Sequence, residues 1–229
     1  MEKEQFFSDK QESGEIVSPQ KISTGNDKNA LLIKEKIKRI SVFGTFDKQN
    51  PEAVEKWKEL GKELADLGLT VIVGGDKGSI ENVSSGVVEN EGKVIVVKTT
   101  VGKEAGFATE NIPGHLRGVY YEDEQAGKFR GLFNRSGAYI VLPGGKKGTG
   151  TETEMRFALD KIDSFDKHVG KLPNPVIFVG EHWKKEYEEQ IKNKYDQNVW
   201  GHVYFIESEK EIEPILLKYA KLKQENEQK

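Results

Sequence analysis

Ala138-Tyr139-Ile140-Val141-Leu142-Pro143-Gly144-Gly145-Lys146-Lys147-Gly148-Thr149-Gly150-Thr151-Glu152 is the stretch that decides the fold. Ala138 to Leu142 is an unbroken apolar run, as expected of a strand covered on both faces. Helical spacing resumes from Thr151 to Ile162. A strand therefore passes through a glycine turn into a helix, which is the join of a βαβ unit feeding a parallel sheet.

The same join recurs on both sides. Upstream, Arg39-Ile40-Ser41-Val42-Phe43-Gly44 reads as a strand, and Pro51 opens a helix with Val54, Trp57, Leu60, Leu64 and Leu67 at helical spacing, stopped by Gly68. Thr70 to Val73 is a second strand running into Gly74-Gly75-Asp76-Lys77-Gly78, followed by a helix from Ser79 to Asn90 and a strand from Lys93 to Val97. Residues 98–125 show no strong periodicity and read as a long loop, and loops of that length are often functional. A short helix over 126–136 precedes the quoted strand. Strand 175–179, helix 182–194, strand 203–206 and a helix from Glu209 follow it. Trp57, Phe157 and Phe178 fall on periodic faces and are expected in the core.

The fold class is α/β: a doubly wound, mostly parallel sheet with helices on both faces. One domain over 31–220 accounts for this pattern. Residues 1–30 have few aliphatic side chains and many charges, and are expected to form a flexible tail; 221–229 are expected to fray.

Composition narrows the chemistry. The chain has 229 residues, no cysteine, and 35 Lys and Arg against 38 Asp and Glu, a net charge of −3. Disulfides, thiolate zinc sites and cysteine nucleophiles are excluded. No apolar run approaches the roughly 20 residues of a membrane-spanning helix, and the N-terminus has charges where a signal peptide needs apolar residues. A cytoplasmic protein without a membrane partner is expected. The acidic balance makes nucleic acid an unlikely partner.

In an open parallel sheet, ligands bind beyond the carboxyl ends of the strands, where strand order reverses. Three strands end in features suited to that edge: Gly44-Thr45, the turn containing Gly74, Gly75 and Gly78, and the turn containing Gly144, Gly145, Gly148, Thr149 and Thr151. Glycine lets backbone N–H groups approach a phosphate, and a following helix N-terminus adds donors and partial positive charge. Other fingerprints are absent. GTFDKQN is not G-x-G-x-x-G, PGGKKGTGTE lacks triphosphatase-loop spacing, no G-x-S-x-G occurs, and the four histidines lack metal-ligand spacing. No metal and no cofactor is indicated.

The Gly-Gly-x-x-Gly turn (Gly74, Gly75, Gly78) and the Pro-Gly-Gly…Gly-Thr-x-x-Glu motif (Pro143, Gly144, Gly145, Gly148, Thr149, Glu152) resemble those of the LOG (LONELY GUY) proteins and the wider SLOG superfamily of Rossmann-like nucleotide binders. The resemblance implies a phosphoribohydrolase that cuts the N-glycosidic bond of a nucleoside 5′-monophosphate, releasing base and ribose 5-phosphate. It implies that Gly144, Gly145, Gly148 and Thr149 hold phosphate or ribose. Glu152 would be the catalytic carboxylate, and Arg130, with Lys128 and Arg135 as neighbours, its basic partner. Bond cleavage builds positive charge on the sugar, which a carboxylate stabilises while it orients water. A homodimer is also implied.

The motif departs from the family pattern. Two lysines, Lys146 and Lys147, stand where one residue is usual, so a second register uses Gly150-Thr151 with Glu154 as the carboxylate. Lys128-Phe129-Arg130 leaves the basic partner open between two positions. His115, Arg117 and the pair Tyr120-Tyr121 lie in the long loop and could meet a ligand. Altered spacing favours a non-catalytic sensor of a nucleotide or nucleotide-derived signal, whereas the retained glutamate and nearby arginine favour the enzyme.

Overall fold

The computed structural model describes residues 25–45, 47–75, 77–100, 104, 116–122, 125–144, 150–166 and 172–228. Seven strands form one sheet: β1 (Arg39–Phe43), β2 (Thr70–Gly74), β3 (Lys93–Thr99), β4 (Leu116–Glu122), β5 (Ala138–Val141), β6 (Val176–Val179) and β7 (Val203–Ile206). Their order is β4-β3-β2-β1-β5-β6-β7, and every pairing is parallel.

Alternation along each strand divides the core between the two faces of the sheet. Ile40 and Val42 of β1 and Ile140 of β5 face α1 (Gly25–Lys36), α2 (Pro51–Asp66), α3 (Ser79–Glu89) and α8 (Ile212–Glu227). Phe43, Tyr139 and Val141 face α4 (Gln125–Phe133), α5 (Gly150–Lys161) and α6 (Glu181–Lys194). A short α7 (Gln197–Trp200) is capped by Asp196, whose side chain accepts from the N–H groups of Asn198 and Val199. This is the doubly wound arrangement expected from the sequence.

Local chemistry sets the helix boundaries. Asn50 caps α2 by accepting from the Ala53 N–H at 2.8 Å, and Pro51 follows where a missing N–H costs nothing. Trp57, Leu60 and Leu64 of this helix are buried. Gly61 and Gly86 bring α2 and α3 into backbone contact, since a Cβ on Gly86 would lie 1.9 Å from the Lys58 carbonyl oxygen.

Four expectations are corrected. The stretch read as a loop over 98–125 contains β4, an edge strand paired with β3 across a register shift between Val94 and Val96. Residues 25–30, assigned to a flexible tail, form the start of α1; residues 1–24 lie outside the described residues. The C-terminal segment expected to fray stays helical to Glu227, because α8 packs on α1. Lys36 Nζ meets Glu227 at 2.6 Å across that contact. Finally, Trp57 and Phe178 are core residues, but Phe157 is 46% exposed, stacked on Phe129 of α4 with ring centroids 4.6 Å apart. The outer rim of the α4–α5 contact leaves one face of its ring in water.

Candidate functional site

Strand order reverses between β1 and β5, so the crevice expected in a doubly wound sheet opens beyond their carboxyl ends. Gly44 and Thr45 leave β1 there and Pro143 and Gly144 leave β5. The Thr151 hydroxyl, at the start of α5, donates to the Gly44 carbonyl at 2.8 Å and ties the two sides together. The N–H and hydroxyl of Ser79, at the start of α3, both donate to the Thr45 carbonyl, at 3.0 and 3.2 Å. Thr45 itself is buried and donates to Asp47 Oδ2 at 2.7 Å.

Glycine is needed here for space. Gly144 has φ +137°, and a Cβ on it would stand 2.2 Å from Thr45 Cγ2. A Cβ on Gly44 would stand 2.2 Å from Ser79 Oγ. Gly75 donates to the Val97 carbonyl at 3.1 Å and lies under the alkyl chain of buried Lys98, whose Cγ would be 2.3 Å from a Cβ. Gly74 ends β2, and Gly78 caps α3 with φ +85°. Gly44, Thr45, Gly74, Gly75, Gly78, Gly144 and Thr151 are thus placed on one sheet edge. Gly145, Gly148, Thr149, Lys146 and Lys147 lie outside the described residues, as do Asp76 and His115. Arg117, Tyr120 and Tyr121 belong to β4.

Both candidate carboxylates are buried on α5, but only Glu152 lies in its first turn, where the helix N-terminus favours negative charge; Glu154 starts the second. Glu152 Oε1 accepts from Arg156 Nε at 3.1 Å and Nη2 at 2.7 Å. That hydrogen bond holds the guanidinium more firmly protonated than usual. Tyr187 of α6 is close to the same carboxylate; burial first, then the Glu152 charge, pushes its hydroxyl up. Glu154 Oε1 pairs with Lys128 Nζ of α4 at 3.0 Å, with both side chains largely buried. Arg130 is exposed, and among the described residues its side chain bonds to neither glutamate. The cations that meet the two carboxylates are therefore Arg156 and Lys128.

Sequence reasoning missed Arg156 and Tyr187. Arg156 was legible, since four residues after Glu152 is ion-pair spacing on a helix. Tyr187 was not, because it reaches the site only through the packing of α6, which Trp183 anchors by donating from Nε1 to the Leu142 carbonyl at 3.1 Å. No group of three or more His, Cys, Asp or Glu side chains suited to a metal occurs among the described residues. No described helix is long and apolar enough to cross a membrane.

A profile of the SLOG cluster4 family matches residues 37–200, more than half of the chain. The chain belongs to the SLOG cluster4 family. The match spans β1 to α7, and so includes both sides of the switch-point crevice. No curated protein sequence matches. Among solved structures, the SLOG chain is similar to the molybdenum cofactor carrier protein of Chlamydomonas reinhardtii: 18% identity, TM-score 0.52, covering 81% of this chain and 96% of that one. It is also similar to the molybdenum cofactor binding protein of Rippkaea orientalis, with 18% identity and TM-score 0.57, covering 78% and 94%. DNA processing protein A of Helicobacter pylori, described for its single-stranded DNA binding mode, is 16% identical with TM-score 0.52, covering 82% and 83%. At these identities the likeness is one of fold.

Proposed function

We propose that this SLOG-family chain binds a nucleotide or nucleotide-derived small molecule in the crevice between the ends of β1 and β5. The observation that supports the reading is the Thr151–Gly44 bond, which holds the start of α5 against β1 beside Gly144. On this reading the N–H groups at the start of that helix serve a phosphate in the crevice.

Within that reading the finer assignment is hydrolysis of the N-glycosidic bond of a nucleoside 5′-monophosphate. A carboxylate anchored by a bidentate arginine and buried at a helix start suits stabilisation of positive charge on a departing sugar. Arg130, exposed on the neighbouring helix, is available to a phosphate. The second reading is a sensor without turnover. It is favoured by one observation: Glu152 and Glu154 each already have a cation partner inside the protein. The homodimer implied by the LOG resemblance belongs to this proposal, with Phe157 marking the face to test.

The deciding experiment incubates the purified chain with a panel of nucleoside mono-, di- and triphosphates, the molybdenum cofactor and a single-stranded oligonucleotide. It follows free base by mass spectrometry and ligand binding by the rise in melting temperature. Base release that Glu152→Gln abolishes while the fold survives assigns the hydrolase. A melting shift without release assigns the sensor. Neither release nor a shift with any nucleotide rejects the proposal.

A further inference from the structure

A second cavity lies at the opposite edge of the sheet, where the strands begin. It measures about 760 Å³ and is lined by the first residues of β1, β2 and β3 and by the link from α4 to β5. Six cations surround it: Lys34, Lys38, Arg39, Lys93, Arg135 and Lys223. Among the described residues Glu91 is the one acid in its wall, in a chain whose net charge is −3.

Two features shape this cluster. Helices α1 to α4 all end around the cavity, and their C-termini contribute roughly half a negative charge each. The four cations that make no ion pair among the described residues, Lys34, Lys38, Arg39 and Lys93, by themselves exceed the roughly three negative charges of those helix ends and Glu91, so the cavity keeps a net positive potential. Moreover, Lys38 and Glu91 are the two non-glycine residues with left-handed backbone among the described residues, at φ 62° and 57°, and both stand in this wall. Both follow a helix end: Gly92 and Glu91 donate back to the Val87 and Val88 carbonyls at 2.7 and 3.0 Å, a left-handed cap on α3, and Lys38 follows α1, so the helix ends fix the backbone of this wall.

Lys34, Lys38, Arg39 and Lys93 make no ion pair among the described residues. Lys223 donates to Asn174 Oδ1 at 3.1 Å and toward the Gly137 carbonyl at 3.5 Å, which holds it in the wall. Among the described residues no aromatic side chain lines the cavity, and none there offers a base a stacking surface. The volume is that of a small-molecule site.

We infer that this cavity is a second binding site, for a compact ligand carrying several phosphates, separate from the crevice beyond β1 and β5. The charged groups do the recognition, and the ligand is held by its phosphates alone. The inference does not rest on nucleotide binding at the other edge.

The test is calorimetric titration of the full chain with inorganic tripolyphosphate at low and at physiological salt. Binding is expected, weaker at the higher salt because exposed charges are screened. The double variant Arg39→Gln, Lys93→Gln removes two exposed side chains and is expected to weaken binding about tenfold or more, with little change in the melting temperature of the unliganded chain. A control with the same change in net charge, Lys28→Gln with Lys185→Gln, is expected to bind as the parent does. Absence of binding, full affinity in the first double variant, or an equal loss in the control would each overturn the inference. So would tighter binding of a short oligothymidylate at equal phosphate concentration, which would assign the surface to nucleic acid.

Discussion

The hydroxyl of Thr151 donates a 2.8 Å hydrogen bond to the carbonyl of Gly44, joining the first turn of α5 to the end of β1 across the point where strand order reverses. Thr151 is 3% exposed and Gly44 is partly buried. Thr151→Val keeps the shape and removes the donor, leaving a partly buried acceptor without this partner. Urea unfolding should show a loss of about 1–2 kcal/mol, and any melting shift produced by a nucleotide should shrink with it.

Gly144→Ala meets both a left-handed backbone and the methyl of Thr45 at 2.2 Å. A destabilisation of roughly 1–3 kcal/mol is expected. If Gly144→Ala melted at the parent temperature, the turn would not be held as described. Companion substitution Thr45→Ser, which removes that methyl, should recover part of the loss.

The buried pair of Glu154 and Lys128 joins α5 to α4. Lys128→Met removes one partner and leaves a carboxylate without its countercharge, at a cost of about 3–5 kcal/mol. Lys128→Met combined with Glu154→Gln should cost less than the sum of the two single changes. A double-mutant cycle in urea measures that coupling, and strict additivity would mean that the pair does not act as a unit.

Tyr195 donates to Asp160 Oδ1 at 2.6 Å and accepts from Lys194 at 2.7 Å. Burial, followed by the bond to Asp160, pushes its hydroxyl up to about 12 from an ordinary value of 10.0. A group whose pKa is raised in the folded chain contributes stability below its unfolded value and loses it as pH rises through the folded one. Stability should therefore fall between about pH 10 and pH 12, and Tyr195→Phe should flatten that part of the curve. Ultraviolet difference titration reads the tyrosine directly.

Phe157 presents an aromatic face to solvent beside Phe129. Light scattering of the parent should report a dimer, and Phe157→Asp should shift it toward monomer without lowering the helical content. A monomeric parent would remove the pairing from the proposed function.

Apart from β4, the alternation of strands and helices from Arg39 to about residue 220 was legible because a strand covered on both faces must be continuously apolar and each must end in a turn. Those are local requirements, and Ile40, Val71, Val94, Ile140 and Ile177 meet them one strand at a time. β4 was hidden because an edge strand pairs on one side only, and Leu116 to Glu122 carries a glycine and charges amid its apolar residues. The helical ends were hidden because α1 and the last turns of α8 stabilise each other, and residues 221–227 have little apolar surface of their own.

What the sequence by itself determined was therefore the class of fold, its repeated strand-turn-helix joins and the glycine-rich edge on which Gly44, Gly75 and Gly144 meet. The tertiary structure alone decided that Glu152 also faces Tyr187 while Arg130 stays in water, and that six cations ring a cavity at the far edge. Local pattern follows from each residue's own neighbours in the chain. The partner of a charge depends on which helix face the packing turns inward, a choice that exists only once the sheet has assembled.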